Sequence, residues 1–343
     1  MSRRDTVVVG ASAGGVAALR TLLAGLPADF PGRILVVLHI PSGGVSTLAS
    51  ILARSTELTV RPALNRAQLE PGVVLVAPPD HHLVLVDDSV LLTRGPQENG
   101  HRPAIDVLFR SAARVLGPRA IAVVLSGALD DGAAGLRAVR SQGGLGVVQD
   151  PDDAQHSGMP TNAIRAADPE HVLPVAQIPA LLTQLIGAEV PDRAGDSQTL
   201  QLLEAEVEMA EMTAQIFHEA HRPGNSSGLS CPDCHGVLFA IGEEDFLRFR
   251  CRVGHAWSVE SLLAEHRTAV EGALWMALRA LEEKAALCKD MSGRAGQGGA
   301  PISARRFDEQ ALEATEAAEL LRGLLAEGTG IVDNSMREGI QGG

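Results

Sequence analysis

Three side chains that together could carry out acyl transfer follow three separate strand-like runs. Ser12 lies in the glycine-rich turn 10–15, between an apolar run and a helical pattern. His39 ends the next apolar run, and Asp131 follows another one at 120–125. In a triad of this kind, histidine takes the proton of the serine hydroxyl and the carboxylate orients the histidine. The sequence therefore predicts a nucleophilic site, provided that the three strand ends meet.

Each of these residues also has a simpler interpretation. Ser12 could cap the helix that follows it, and Asp131 could cap the helix predicted over 132–141. A dinucleotide-binding turn needs a glycine where Ser12 stands and an acidic residue about 20 positions on, but the next strand ends in His39. The G-x-S-x-G spacing of 10–14 also suits an α/β-hydrolase, but that class has the order Ser, Asp, His. The joint placement at three strand ends favours the triad.

Strand-like and helical patterns alternate through the first half of the chain. Continuous apolar runs, typical of strands buried on both faces, are separated by helical segments. This pattern predicts an α/β fold with a doubly wound, mainly parallel, Rossmann-like sheet, whose sites lie at the carboxyl ends of the strands. The predicted strands are 6–9, 33–39, 58–62, 73–77, 82–86, 90–93, 120–125 and 145–149, and the predicted helices are 16–23, 44–54, 103–116, 132–141 and 179–186.

Composition limits the classes of partner. The 343 residues carry a net charge of −13, and the acidic excess lies almost entirely after residue 190. Because the chain has no basic stripe, nucleic acid is not expected as a partner. No apolar run approaches the roughly 20 residues that span a bilayer, and no leader pattern follows the basic start. We therefore expect a cytoplasmic protein without membrane insertion.

All four cysteines lie after residue 190, and three of them have metal-ligand spacing. Cys231 and Cys234 form a C-x2-C pair, and Cys251 is followed four positions later by His255. Two such pairs predict a ribbon with a structural zinc, because four protein ligands leave no open coordination position. The C-x2-C-H spacing also suits c-type haem, but no export signal precedes it, and a redox dithiol would leave the second pair unexplained. Cys288 is the alternative fourth ligand.

Helical patterns fill the remainder of the C-terminal half. An apolar seam with spacings of three and four could pack on its own domain or form a homodimer through C-terminal helices. The seam consists of Leu200, Leu203, Val207, Ala210, Ala214 and Phe217. Two longer patterns, joined by a glycine-rich loop, predict a helical hairpin. The predicted domains are a sheet domain at 1–190, a helix and linker at 191–230, a zinc-ribbon-like module at 231–260, the hairpin at 261–327 and a disordered tail at 328–343.

Six sequence blocks occur in a characteristic order: the turn 10–15, the strand ending in His39, and residues 77–80, 101–109, 125–135 and 158–160. Together they resemble the catalytic domain of bacterial chemotaxis protein-glutamate methylesterases of the CheB type. The resemblance covers roughly residues 5–187. It implies hydrolysis of glutamyl methyl esters on the cytoplasmic region of methylated chemoreceptors, with deamidation of receptor glutamines as a second activity.

The resemblance also implies a role for each site residue. Ser12 would be the nucleophile, and His39 would be the general base that then protonates methanol. Asp131 would orient His39. The backbone N–H groups of Ala13 and Ala128 would form the oxyanion hole.

Some features depart from the family pattern. Ala128-Leu129 replaces the usual Met-Gly, and Leu129 would resist a positive φ. This departure leaves an alternative function, an inactive esterase fold that recruits signalling partners through its zinc and helical part. The chain begins at the catalytic strand, so regulation by a phosphorylated receiver domain in cis is not expected. Asp130 is expected to face solvent, and Arg102 and Asp106 are expected to pair within one loop.

Overall fold

A computed structural model describes residues 2–41, 43, 46–191, 197–211, 224–242 and 246–326. The chain divides into two compact units, Met1–Leu262 and Leu263–Gly343. The first unit holds a parallel sheet with its helices, one further helix and a cysteine-rich ribbon. The second unit holds most of a pair of long helices.

The elements are numbered along the chain. The strands are β1 (Ser2–Arg3), β2 (Thr6–Ala11), β3 (Arg33–Leu38), β4 (Thr59–Pro62), β5 (Val73–Val76), β6 (His82–Val86), β7 (Ser89–Thr93), β8 (Ala120–Val124), β9 (Leu145–Gln149), β10 (His171–Leu173), β11 (Glu189–Val190), β12 (Asn225–Ser230), β13 (Val237–Ile241), β14 (Arg248–Cys251) and β15 (Ala256–Ser258). The helices are α1 (Gly15–Ala24), α2 (Leu48–Ala53), α3 (Ile105–Leu116), α4 (Ala133–Ser141), α5 (Gly158–Ala167), α6 (Ile178–Leu185), α7 (Ser197–Glu211), α8 (Val259–Gln297) and α9 (Pro301–Ala326).

The central sheet contains, in the described part of the chain, seven parallel strands in the order β10-β9-β8-β2-β3-β5-β4. β2 lies in the middle, and the chain builds outward from it first through β3 and later through β8. The strand order therefore reverses beside β2, and the carboxyl ends of β8, β2 and β3 are neighbours. Doubly wound folds place their sites at this crevice. The predicted fold class is confirmed.

Apolar side chains cover both faces of this sheet. Along β2, Val8 belongs to one core, whereas Val7 and Val9 belong to the other. The first core includes Leu108 from α3, and the second includes Leu22 from α1. Because successive side chains of a strand point to opposite faces, an unbroken apolar run is what a doubly covered strand requires.

Helix α7 packs on its own unit. Leu203, Val207 and Ala210 are buried in the first core, and α7 contacts α3, β6 and β7. For these residues the seam is therefore an intramolecular contact and not a dimer contact. Ala214 and Phe217 lie outside the described residues, and a homodimer through α8 and α9 stays a prediction.

The ribbon is a small antiparallel sheet in which the described strands follow the order β12-β13-β14-β15. Its core is formed by Cys231, Leu238, Phe249, Cys251, Trp257 and Leu262. The linker expected after α7 is shorter than predicted, because β12 already pairs with β13 from Asn225 onward. The first compact unit includes this ribbon, so it extends beyond the boundary expected near residue 190.

The second unit is a helical hairpin. Its seam buries Leu278, Ala285 and Cys288 of α8 and the small residues Ala311 and Ala314 of α9. The glycine-rich loop expected over 292–303 is mostly helical, since α8 continues to Gln297 and α9 begins at Pro301. Cys288 lies in this seam and is not part of the ribbon's ligand cluster.

Two further differences concern the sheet domain. Helix α2 begins at Leu48, not at residue 44, and the hydroxyl of Ser46 accepts the Leu48 N–H there (3.2 Å). Helix α5 was not predicted, because it buries few apolar side chains, chiefly Met159 and Ala163. None of the helices in the described ranges is long and apolar enough to cross a bilayer.

Candidate active site

Ser12, His39 and Asp131 form one hydrogen-bonded line across the carboxyl ends of β2, β3 and β8. His39 Nδ1 lies 3.1 Å from Ser12 Oγ, and His39 Nε2 lies 2.7 Å from Asp131 Oδ2. With its proton on Nε2, His39 donates to the carboxylate and presents the Nδ1 lone pair to the serine hydroxyl. The tertiary structure thus brings together three side chains that lie as much as 119 positions apart in the sequence, from Ser12 to Asp131.

Glycines allow the backbone around Ser12 to approach its neighbours closely. A Cβ on Gly10 would lie 2.2 Å from Ile105 Cγ2, and a Cβ on Gly127 would lie 2.9 Å from Ser12 Cβ. Gly14 has a φ of 73°, in the left-handed region that glycine tolerates best. The glycine-rich turn therefore serves close packing of α3 and the 126–128 loop against the serine.

Asp131 is buried at the N-terminus of α3. Its Oδ2 accepts the Ile105 N–H (2.7 Å), and its Oδ1 accepts the N–H groups of Asp106 (3.2 Å) and Gly132 (3.1 Å). Burial by itself raises the pKa of Asp131, but the hydrogen bond and charge of His39 outweigh it and hold this pKa well below its usual range. The carboxylate is ionised, and the positive end of the α3 dipole favours that charge.

Asp106 is a second buried carboxyl group beside Asp131. Burial and the negative charge of Asp131 raise the pKa of Asp106 well above its usual range. Its Oδ1 accepts the N–H groups of Gly132 (3.0 Å) and Gly135 (2.6 Å). The predicted pair of Arg102 with Asp106 is wrong, because Arg102 instead donates to Asp80 (2.7 Å) on the same edge of the sheet.

His101 stacks on His39, with ring centroids 3.6 Å apart and an interplanar angle of 15°. Burial and the charge of a protonated His39 lower the pKa of His101 to about 4. A neutral flat ring therefore packs against the ring of His39 and limits its rotation. The sequence assigned no role to His101, although it opens the block 101–109 that carried part of the resemblance.

The two N–H groups predicted for an oxyanion hole, those of Ala13 and Ala128, donate no hydrogen bond to any described residue. The loops that carry them are tied together by Ser126. Its Oγ donates to the Ala13 carbonyl (2.8 Å) and accepts the His156 N–H (3.0 Å). Both amides therefore remain available as donors, and their role in an oxyanion hole stays a prediction.

Leu129 has a φ of 60°, the positive value that a leucine was expected to resist. For an L-residue the left-handed region costs roughly 1–2 kcal/mol. The carbonyl of Leu129 accepts the side-chain amide of Asn162 (2.9 Å), which fixes the loop from the side of α5. Tertiary contacts thus hold the loop in a glycine-like conformation despite the leucine.

Asp130 is half-buried and hydrogen-bonded, whereas it was expected to face solvent. Its Oδ1 accepts the hydroxyl groups of Ser258 (2.6 Å) and Ser261 (3.0 Å). Burial raises the pKa of Asp130, although these two hydrogen bonds oppose the shift. The prediction failed because both serines come from a segment about 130 positions further along the chain.

Cys231, Cys234, Cys251 and His255 form a cluster whose ligand atoms all lie within 4.8 Å of one another. Cys234 Sγ and Cys251 Sγ are 3.6 Å apart, and His255 Nδ1 lies 3.6 Å from Cys251 Sγ. A tetrahedral zinc places two sulfurs about 3.8 Å apart and a sulfur and a nitrogen about 3.5 Å apart. The donor set and its spacing therefore fit a zinc ion.

The fold and this geometry define an α/β protein with the side-chain arrangement of a serine hydrolase. Residues 7–182 match the family described as CheB methylesterase, and the chain belongs to that family.

Two named relatives and one solved structure illustrate the similarity. A "protein-glutamate methylesterase/protein-glutamine glutaminase 2" of Pseudomonas aeruginosa is 41% identical over 188 residues, which are 54% of either chain. A "putative protein-glutamate methylesterase/protein-glutamine glutaminase" of Leptospira interrogans is 37% identical over 182 residues, which are 53% of this chain and 94% of the relative. The CheB methylesterase catalytic domain of Thermotoga maritima is 35% identical and superimposes with a TM-score of 0.52, covering 54% of this chain and 100% of that domain. The chain spans about half the length of several relatives, including the one from Pseudomonas.

We expect His101→Phe to remove an acid-dependent loss of stability while keeping a flat ring against His39. In the wild type, the unfolded chain takes up a proton on His101 near pH 6.5, whereas the folded chain does so only near pH 4. The free energy of unfolding therefore falls as the pH drops through this window, by roughly 2 kcal/mol between pH 7 and 4.5. Urea unfolding at both pH values should give a smaller loss for His101→Phe. His266→Phe, at an exposed histidine, should keep the wild-type loss, and parallel pH profiles for wild type and His101→Phe would contradict the assignment.

We expect Leu129→Gly to leave the free energy of unfolding unchanged or to raise it by up to about 1 kcal/mol. Relief of the left-handed leucine, roughly 1–2 kcal/mol, exceeds the roughly 0.5–1 kcal/mol of chain entropy that glycine costs. Leu64→Gly is the matched control, since Leu64 is 71% exposed and is not among the residues with positive φ. Denaturant titration should find only Leu64→Gly destabilised, and an equal loss in both variants would rule out strain at Leu129.

Proposed function

We propose that this protein is a serine esterase that removes methyl groups from glutamyl methyl esters of chemoreceptors. The observation that carries the proposal is the hydrogen-bonded line from Ser12 through His39 to Asp131, beside β2, where the strand order of the sheet reverses. The names of the relatives support the substrate class. Deamidation of receptor glutamines would use the same atoms, with ammonia as the leaving group in place of methanol.

In the first half-reaction, Ser12 Oγ attacks the ester carbonyl while its proton passes to His39 Nδ1. The ionised Asp131, 2.7 Å from Nε2, stabilises the imidazolium that forms. The developing oxyanion accepts the N–H groups of Ala13 and Ala128, and one such donor typically contributes about 3–4 kcal/mol. His39 then returns its proton to the methoxide oxygen, methanol leaves, and a glutamyl-serine ester remains.

In the second half-reaction, His39 removes a proton from water as the water attacks the glutamyl-serine ester. The same two amides stabilise the second tetrahedral intermediate, and His39 finally protonates Ser12 Oγ. The products are free glutamate on the receptor and the original enzyme. The neutral ring of His101, stacked at 3.6 Å, keeps the ring of His39 in one plane through both proton transfers.

An apolar groove near the site supports a polypeptide substrate. It has a volume of about 260 Å³ and is lined in part by Val16, Ile40, Pro41, Ile51 and Pro79. Ile40 directly follows His39, and Val16 lies in the first turn of the helix after Ser12. We infer that the groove takes apolar side chains that neighbour the esterified glutamate.

A second candidate function is that of an inactive esterase fold that recruits signalling partners through the ribbon and the helical hairpin. The strained φ of Leu129 in the oxyanion loop favours it. A fluorophosphonate probe separates the two functions, because it labels an activated serine and leaves an ordinary hydroxyl unmodified.

We expect Ser12→Ala to abolish methanol release from a methylated receptor fragment. Removing the nucleophile of a triad costs roughly 10⁴-fold or more in rate. Ser55→Ala is the matched control, since the Ser55 hydroxyl accepts a hydrogen bond from Arg20 at the surface, away from the site. Methanol is measured over time with both variants and the wild type. Equal release by Ser12→Ala and wild type would refute the esterase assignment.

We also propose that Cys231, Cys234, Cys251 and His255 bind a structural zinc. A sheet with so small a core needs a metal to fold, and four protein ligands leave no position open for substrate. Metal analysis should find about one zinc per chain in the wild type. Cys234→Ser should lose the zinc, whereas Cys288→Ser should keep it, because Cys288 lies in the seam of the hairpin. A ribbon that stays folded in the wild type after zinc is removed would contradict this role.

A further inference from the structure

Asn99 lies between the triad carboxylate and the ribbon. Its Nδ2–H donates to Asp131 Oδ1 (3.3 Å), and its Oδ1 accepts the Ser258 N–H (2.8 Å). Its own backbone N–H donates to the Ala256 carbonyl (2.8 Å). The orientation of the side-chain amide is therefore defined on both sides, since a carboxylate accepts and a backbone N–H donates. Asn99 also has a φ of 52°, a conformation that depends on these contacts.

A second connection runs through the neighbouring aspartate. Asp130 accepts the hydroxyl groups of Ser258 and Ser261, at 2.6 and 3.0 Å. The corner between β15 and α8 thus contacts the side chains of Asp130 and Asn99 together. A cavity of about 10 Å³ is left at this interface, and it has room for no more than one water molecule.

A third connection is a cluster of buried charges. Glu98 pairs with Arg110 of α3 and with Arg250 of β14, and all three side chains are almost fully buried. Glu206 of α7 joins the cluster through Arg110 and Arg250, each at 3.5 Å, and also pairs with Arg248 (3.0 Å). A buried ion pair fixes the position of its partners, because separation leaves an uncompensated charge in a medium of low dielectric constant. The cluster thereby joins β14 to the residue next to Asn99.

Two of the four metal ligands lie at the turn of the β14–β15 hairpin, which makes the contacts with Glu98 and Asn99. Cys251 and His255 lie between Arg250 and Ala256, which are paired across β14 and β15. The Cys251 N–H donates to the His255 carbonyl (2.9 Å). A metal bound to Cys251 and His255 would fix the turn between β14 and β15. Arg250 of β14 contacts Glu98, and Ala256 of β15 contacts Asn99.

We propose that Asn99 is a positioning residue for Asp131 and that metal binding in the ribbon controls the esterase through it. With the metal bound, β15 holds Asn99 in its left-handed conformation, and Asn99 donates to Asp131. Without the metal, the turn between β14 and β15 is no longer held in place. Asn99 then moves away from Asp131, and His39 loses the fixed carboxylate that orients it. The inference rests on the proposed esterase function for its kinetic consequence, but the contact itself can be measured without substrate.

The test compares the full-length wild type and Asn99→Gly, each with zinc and after removal of zinc by a chelator. Glycine keeps the left-handed backbone and removes only the side chain. For the zinc-loaded wild type, removal of the metal should lower kcat roughly 10- to 100-fold with little change in KM, the size expected from a small misplacement of a catalytic group. Zinc-loaded Asn99→Gly should show a similar loss while retaining its zinc. Removal of zinc from Asn99→Gly should add little, because both changes break the same connection.

Asn65→Gly is the matched control, since the side chain of Asn65 accepts the Leu92 N–H in an exposed turn, and it should keep the wild-type kcat and zinc response. Two results would overturn the proposal. In one, the losses of kcat caused by Asn99→Gly and by zinc removal add up when both changes are combined. In the other, one of the two changes leaves kcat at the wild-type value.

A spectroscopic measurement separates this proposal from the esterase function. The proton shared by His39 Nε2 and Asp131 gives a downfield proton NMR resonance, which should shift or broaden on removal of zinc and in Asn99→Gly but not in Asn65→Gly. A protein that hydrolyses no ester yet responds in this way would refute the function and support the positioning role. If neither zinc removal nor Asn99→Gly alters this resonance, the positioning role is refuted whatever the activity.

Discussion

Asp131 carries its negative charge where water cannot reach it, and the arrangement of the site follows from the need to compensate that charge. The donors come from four separate parts of the chain: the ring of His39, the first turn of α3, the N–H of Gly132 and the amide of Asn99. A buried charge is tolerated only when such donors are fixed in place. The close approach of β2 to Ile105, which only Gly10 allows, brings the N-terminus of α3 to the sheet.

The charges around this carboxylate are divided between ionised and neutral groups. Asp106 lies next to Asp131, and burial together with the neighbouring negative charge raises its pKa. Two carboxyl groups at one helix N-terminus thus share a single charge, which leaves Asp131 as the partner of His39. On the other side, burial lowers the pKa of His101, so the ring stacked on His39 adds no competing charge. The result is a single hydrogen-bonded line from Ser12 through His39 to one ionised carboxylate, that of Asp131.

The ribbon extends the set of contacts beyond the sheet domain. Its hairpin contacts Glu98, Asn99 and Asp130, three residues within or next to the site. The matched family region ends at residue 182, so these contacts come from a part of the chain outside it. A module that could have been a separate zinc-binding appendage is instead packed in the same compact unit as the triad.

The sequence by itself determined six of the seven strands of the central sheet, all but the edge strand β10, together with the three strand ends and the metal-ligand spacing. Apolar runs of fixed period and short motifs such as 10–15 depend on local chemistry, so a linear pattern is sufficient to predict them. Ser12, His39 and Asp131 were found because the carboxyl ends of parallel strands must lie at one edge. The same local patterns predicted α2 too long and missed α5, whose few buried side chains give a weak signal.

Only the tertiary structure decided what surrounds Asp131. The stacking of His101, the two contacts of Asn99 and the burial of Asp130 join residues far apart in the chain, and their partners have no periodic signature. The φ of Leu129 is another such case, because the contact from Asn162 holds a conformation that local preference opposes. Long-range contacts of this kind are fixed by the summed packing of the whole unit, and no short stretch of sequence encodes them.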